Sequence, residues 1–260
     1  MNGELLPDAA PEISVRNTNG PLKDLAAPSL APEEIHVWEI SLAVAEAALA
    51  AQSSVLSADE SQRATRFHFE RDRRRFTVAR SSLRSILGLY TAKPPAELKF
   101  DYAKQGKPAL AEPHKDIRFN LSHSGELAMI AIALGHEIGV DVEAVNTDVE
   151  TDKLAQRFFS EQERAKIREF PPEKRVQAFY RCWTCKEAFL KGQGFGLSRS
   201  LGSFDVEVDP DRPARLLATR PDAEEAAQWS LHDIETDTGY ASAVAAEFRF
   251  HSITILRHRP

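Results

Sequence analysis

The chain has 260 residues, with 33 Lys and Arg against 39 Asp and Glu, for a formal net charge of −6. At roughly 150 residues per domain, this length predicts one large domain or two modest ones with room for a sizeable core. The acidic balance excludes a surface built throughout for nucleic acid or anionic membrane, and 42% hydrophobic with 28% charged residues excludes whole-chain disorder and collagen-like or coiled-coil architecture.

Residues 1–33 carry Pro7, Pro11, Pro21, Pro28 and Pro32, which interrupt regular structure and predict a flexible N-terminal arm. The arm opens with Glu4, Asp8 and Glu12 and lacks the basic start and apolar stretch of a secretory leader, so the expected compartment is the cytoplasm. Ile35, Val37 and Ile40 around Trp38 predict a short strand, followed by an Ala-rich helical segment. Ser57 with Glu60 forms a capping box, and Phe76, Ala79, Leu83, Ile86, Leu87 and Tyr90 recur at helical spacing up to Pro94 and Pro95. They predict one long or broken helix over about 57 to 90, with Phe67, Phe69 and Phe76 in the core.

Residues 117–121 and 127–134 are apolar runs joined by Ser122-His123-Ser124-Gly125, a hairpin with a polar tip. The second is the best apolar run, and it falls far short of the roughly 20 residues of a bilayer span. From Gly139 to Val145 the chain alternates, with Val140 and Val142 on one side and Asp141 and Glu143 on the other. Ser160 and Glu163, after Phe158 and Phe159, form a second capping box for a helix that stops near Pro171 and Pro172. A third helix buries Phe179, Cys182, Trp183 and Leu190 and ends in Gly192, Gly194 and Gly196. From Leu201 onward, Phe204 to Val208 and Ser252 to Leu256 predict strands of a largely antiparallel sheet, giving an α+β fold.

Asp141 and Glu143, two apart on a strand, project both carboxylates from one face. Like charges this close suit a hard cation such as Mg²⁺, which takes one or two carboxylates and leaves its other positions to water and phosphate oxygens; Mn²⁺ accepts the same donors. The same alternation also fits the solvated face of an edge strand. Trp183, Glu187 and Lys191 lie at i, i+4 and i+8 on one helix side, which makes Glu187 a candidate ligand or general base and Lys191 a candidate partner for phosphate oxygens. An ordinary Glu-to-Lys helix pair, worth roughly 0.2–0.5 kcal/mol, has identical spacing. Ser122-His123-Ser124 lacks a Gly-x-Ser-x-Gly elbow and suits either hydrogen bonding to phosphate or a plain surface turn. Cys182 and Cys185 sit inside a helix without further ligands at zinc spacing and read as buried thiols. Arg71, Arg73, Arg74 and Arg75 follow Arg63 and Arg66, a local basic run suited to phosphate or to a salt-bridged helix face.

Five segments in chain order carry a family likeness. They are Gly106-Lys107-Pro108, Phe119-Asn120-Leu121-Ser122-His123-Ser124, Gly139-Val140-Asp141-Val142-Glu143, Phe158-Phe159-Ser160 with Glu163, and Trp183-Thr184-Cys185-Lys186-Glu187-Ala188 with Lys191. Together they resemble the Sfp-type 4′-phosphopantetheinyl transferases over about residues 57–205. The resemblance implies a monomer of two similar α/β halves in a pseudo-twofold arrangement, each a small antiparallel sheet packed with helices, with coenzyme A between them. The halves would be residues 34–135 and 136–260, the second carrying the metal-binding and Trp-x-x-Lys-Glu-Ala motifs.

It further implies that Asp141, Glu143 and Glu187 hold Mg²⁺. Lys107, Ser122, His123, Lys186 and Lys191 would contact the coenzyme A phosphates, with Arg63 and Arg75 toward the nucleotide end. The implied reaction transfers 4′-phosphopantetheine to a serine of an apo acyl or peptidyl carrier protein and releases 3′,5′-ADP. Glu187, Lys191 and Asp141 are the implied catalytic residues, with Glu187 or a metal-bound water as base and Lys191 at the leaving phosphate. Glu60 stands where some relatives place a phosphate-binding lysine, a departure from the pattern. Implied partners are coenzyme A and an acidic carrier met through a locally basic or apolar surface, with no nucleic acid and no membrane. The rival readings are a Mg²⁺-dependent hydrolase of a coenzyme A-like diphosphate and a non-catalytic coenzyme A-binding protein.

Overall fold

The computed structural model describes residues 10–236 and 238–259. In chain order the elements are β1 (Glu12–Asn19), β2 (Glu34–Ser41), α1 (Glu46–Ser53), α2 (Ala58–Ala64), α3 (Glu70–Thr91), β3 (Phe100–Tyr102), β4 (Pro108–Leu110), β5 (Ile117–Ser124), β6 (Leu127–Leu134) and β7 (Ile138–Ala144). They continue with α4 (Thr151–Phe158), α5 (Glu161–Glu169), α6 (Pro172–Gln193), β8 (Phe204–Val206), β9 (Leu216–Thr219), α7 (Glu225–Gln228), β10 (Ser230–Asp233), β11 (Tyr240–Ala246) and β12 (Ser252–Arg259). One sheet has the order β1-β12-β2-β6-β5 and a second the order β10-β11-β7, with β3-β4 and β8-β9 as small pairs.

Side-chain alternation sets the layering. On β2, Trp38 and Ile40 pack with Leu83, Ile86 and Leu87 of α3, while Ile35 and Val37 turn to the other side. There they meet Met129 and Ala131 of β6, Ile138, Val140 and Val142 of β7, and Val244 of β11. The outer face of the three-stranded sheet, including Ala243 and Ala245, packs on α6 through Cys185, Ala188 and Phe189. The result is an α+β fold in which a 22-residue helix covers the outer face of each sheet and the two inner faces share a core. Because β6 is covered on both faces, Leu127 to Leu134 is apolar throughout.

Four expectations change and one open alternative is resolved. Residues 1–9 of the expected arm lie outside the described residues, but Glu12 to Asn19, the stretch free of proline between Pro11 and Pro21, forms β1 along β12. The strand β12 runs parallel to both β1 and β2, so the larger sheet is mixed; local sequence pattern carries no strand direction. Of the long or broken helix expected over 57–90, the broken form is found, as α2 and α3, which lets buried Glu60 reach Arg80 and Arg84. An unbroken helix would hold Glu60 about 30 Å from Arg80 at 1.5 Å per residue. Phe76 is buried, whereas Phe67 and Phe69 at the corner are 38% and 62% exposed. Finally, Ser122, His123 and Ser124 belong to β5 and pair with β6, so the turn falls at Gly125 and Glu126.

Glycine sets the spacing between β7 and α6. A methyl at Gly139 would collide with the Ala188 carbonyl oxygen and the Gly192 amide nitrogen, and one at Gly192 would strike the Trp229 ring. Strand and helix backbones therefore touch directly, one turn from Lys191. Among the described residues, no helix is long and apolar enough to cross a membrane. Gly139→Ala should lower stability by at least about 1–3 kcal/mol in urea unfolding, the cost of overpacking a rigid contact. A change below about 0.5 kcal/mol, the usual surface value, would contradict this account of the β7–α6 contact.

Candidate active site

Two sheet edges meet at the centre of the molecule. β5 ends one sheet and β7 ends the other, and side chains of β5 bridge them. The Val140 amide donates to Asn120 Oδ1 at 3.0 Å, Ser122 Oγ donates to Asp141 Oδ1 at 2.8 Å, and the Ala144 amide donates to Ser124 Oγ at 3.1 Å. Asn120, Ser122 and Ser124 share one face by the two-residue period of a strand. Both strands advance together along this seam, and their polar groups are satisfied without a shared ladder.

Asp141 is 1% exposed and faces α6. Lys191 Nζ donates to its Oδ1 and to Ser122 Oγ, at 2.5 and 2.9 Å. Burial nevertheless pushes the Asp141 carboxyl above its ordinary pKa, outweighing the pull of Lys191 and Ser122. Glu143 is pushed up by burial and by Asp141, while hydrogen bonds from Ser124 and Trp183 act the other way. Glu187 is likewise pushed up by burial, then by Asp141 and, less strongly, Glu143, with Lys191 opposing. Three carboxylates thus share one neighbourhood with one adjoining ammonium.

The other expected site residues divide into two groups. Arg75, bonded to Glu126 at the β5–β6 turn, lies near His123, whose ring is held below its ordinary pKa by surrounding protein, Lys191 and Arg75. Arg63 lies over the Phe76 ring at 5.3 Å, beside Arg75 in sequence, and lines a surface hollow with Arg66 and Phe67.

Lys107 and Lys186, by contrast, have their protons committed elsewhere. Lys107 Nζ donates to Glu137 Oε2 at 2.6 Å and to the carbonyls of Gly192 and Ile138 at 2.6 and 3.2 Å. Lys186 is fully buried, 2.8 Å from Glu163 Oε1, and donates to the carbonyls of Leu201 and Phe204 at 2.7 and 2.6 Å. An ammonium has three donors. In both lysines all three are bonded within the chain.

The donor chemistry suits a hard divalent cation. Asp141 Oδ2 is buried without a hydrogen-bond partner, and the Asp141 carboxylate is close enough to Glu143 and Glu187 to raise the pKa of both. Among the described residues, no three His, Cys, Asp or Glu side chains are gathered at metal-ligand spacing. The fit therefore rests on oxygen donors, the orphaned Oδ2 and excess negative charge. Cys182 and Cys185 are buried and their thiols are pushed well above the usual range by burial, which removes them from metal and redox chemistry.

Comparison with known proteins matches residues 137–245 to the 4′-phosphopantetheinyl transferase superfamily and residues 42–134 to the N-terminal region of 4′-phosphopantetheinyl transferase. The chain is 39% identical over 219 residues to 4′-phosphopantetheinyl transferase HetI of Nostoc sp., covering 84% of this chain and 89% of that protein. The chain belongs to the 4′-phosphopantetheinyl transferase superfamily. It is also similar to 4′-phosphopantetheinyl transferase Sfp of Bacillus subtilis, 29% identical over 74% of this chain and 83% of that one. Human L-aminoadipate-semialdehyde dehydrogenase-phosphopantetheinyl transferase is 27% identical over 72% of this chain and 65% of its own length.

Sequence reasoning left three contributors to this superfamily member's site without a role. Ser124 donates to Glu143, Trp183 helps to hold down the pKa of that carboxyl, and Gly139 sets the height of Asp141 against α6. The period-two pairing of Ser122 and Ser124 with Asp141 and Glu143 was the available signal.

The raised pKa of Glu187 has a testable consequence for the metal-free protein. Folding favours its protonated form, so its contribution to stability is present below the ordinary value of 4.5 and is lost as pH rises through the folded-state value. Glu187→Gln should therefore raise the thermal midpoint of metal-free protein near neutral pH, with the gain shrinking as pH falls toward 4.5. A gain that does not depend on pH, or a loss at neutral pH, would contradict the assignment.

Proposed function

We propose that the chain transfers 4′-phosphopantetheine from coenzyme A to a serine of an apo acyl or peptidyl carrier protein, releasing 3′,5′-ADP. The observation that carries this reading is the convergence of Asp141, Glu143 and Glu187 beside Lys191 at the β5–β7–α6 junction of a superfamily member. The carrier serine oxygen bonds to the β-phosphorus, the bond from that phosphorus to the bridging oxygen breaks, and the serine proton passes to Glu187. Lys191 is placed to neutralise the leaving phosphate.

Mg²⁺, or Mn²⁺ with the same donors, would be held by Asp141, Glu143 and Glu187 and would supply charge neutralisation at the diphosphate. Ser122, His123 and Arg75 would hold phosphate oxygens from the β5 side, and the hollow at Arg63 would take the nucleotide end. Beyond Glu143, Val145 continues the same face of β7 into a cavity of about 650 Å³ that is also lined by Val176, Tyr180 and Thr184. This groove suits the pantetheine arm. The exposed corner of Arg66, Phe67, Phe69 and Arg71 offers an acidic carrier a basic and apolar surface in an otherwise acidic chain.

Both sides of the site come from one chain, which is consistent with a monomer; on this proposal it acts in the cytoplasm and has no nucleic-acid or membrane partner. Of the rival readings, a diphosphate hydrolase would use the same carboxylates but leave free 4′-phosphopantetheine, and a silent binding protein would have no use for all three acids. Incubation of an apo carrier with this chain, coenzyme A and Mg²⁺ should add one phosphopantetheine mass to the carrier and fail with chelator. Glu187→Gln should lower the rate roughly 10²–10⁴-fold. Cleaved coenzyme A beside unmodified carriers would overturn the transferase reading in favour of the hydrolase.

A further inference from the structure

Ser122 and Ser124 stand two apart on β5, and Asp141 and Glu143 two apart on β7, so each hydroxyl meets one carboxylate across the seam at the same separation of 19 residues. The two hydroxyls differ in what else they touch. Ser122 receives a proton from Lys191, and its carboxylate also has that ammonium as partner. Ser124 Oγ receives the Ala144 amide proton at 3.1 Å and donates its own proton to Glu143 Oε2 at 2.9 Å. A hydroxyl has one proton to give. With one lone pair held by a backbone amide of β7, that proton's direction is set by the scaffold, and with it the orientation of the Glu143 carboxylate. Just past Ser124, the β5–β6 turn is tied to β11, where the Glu126 amide donates to the Tyr240 hydroxyl at 3.2 Å.

We infer that Ser124 is a positioning residue for Glu143, holding its carboxylate ready for the divalent cation shared with Asp141 and Glu187. The inference rests on the metal-dependent transferase reading above. A purely architectural serine would need only to accept the Ala144 amide; donation to Glu143 needs the hydroxyl proton. Partners of this kind, which touch a ligand and not the metal, typically carry a 10–100-fold effect on metal affinity.

The test compares Ser124→Thr, which keeps the hydroxyl, with Ser124→Val, which has nearly the same shape as the threonine variant without it; both introduced residues suit a strand. Mn²⁺ binding to each full-length chain is measured by electron paramagnetic resonance, alongside transfer rates over a range of Mn²⁺ concentrations and circular dichroism of the fold. The Ser124→Thr chain should bind within about threefold of wild type and the Ser124→Val chain roughly 10–100-fold more weakly, with most of the latter's kcat restored at saturating Mn²⁺. Equal Mn²⁺ affinity in the two variants, with wild type binding and transferring normally, would overturn the positioning role and leave the functional reading intact. A wild-type chain that neither binds Mn²⁺ nor modifies a carrier would overturn both. Should the Ser124→Val chain not fold, Ser124→Ala repeats the comparison with a smaller side chain.

Discussion

The carboxylate of Asp141 lies almost entirely out of water between β7 and α6, and much of the surrounding structure answers that cost. One oxygen takes Lys191 and Ser122; the other has no hydrogen-bond partner. A buried acid is held charged only by cations and donors at short range. Supplying them requires α6 to lie against β7 at backbone contact, which Gly139 and Gly192 permit, and β5 to abut β7 so that Ser122 reaches across. Glu143 and Glu187 add negative charge that one ammonium does not balance, and on the proposed reading a divalent cation would supply the missing positive charge and so let a diphosphate approach.

Other buried charges hold the scaffold. Glu60 ties α2 to α3 through Arg80 and Arg84, and Glu163 ties α5 to α6 through Lys186 while accepting the Val206 amide at 2.9 Å. In these clusters every charge meets an opposite charge, and removal of one partner from such a pair typically costs about 3–5 kcal/mol. Glu60, which departs from the family pattern, is therefore accounted for as a helix-to-helix tie. The contrast with Asp141, Glu143 and Glu187 is physical: each scaffold carboxylate has at least one cation of its own, whereas three site carboxylates adjoin one ammonium.

The sequence made the site's acids legible because strand and helix periods place them. Val140 and Val142 turned inward fix Asp141 and Glu143 outward, and Glu187 lies one helical turn from Lys191. The five ordered motifs made the family legible as well. Partners distant in sequence were not visible: Lys186 meets Glu163 and two carbonyls, and Lys107 meets Gly192, through contacts that only the assembled layers create. Ser122-His123-Ser124 read as a turn because polar residues seldom fill a strand, yet here their hydroxyls face another strand's edge instead of a core. Phe67 and Phe69 read as core from hydrophobicity alone, but the α2–α3 corner turns them outward.

If this convergence is what the fold exists to build, crystals grown with Mn²⁺ and coenzyme A should give an anomalous difference peak bounded by Asp141, Glu143 and Glu187, with the diphosphate beside it and Lys191 within reach. A manganese peak away from these three side chains, or a bound diphosphate with none of them near it, would contradict the account.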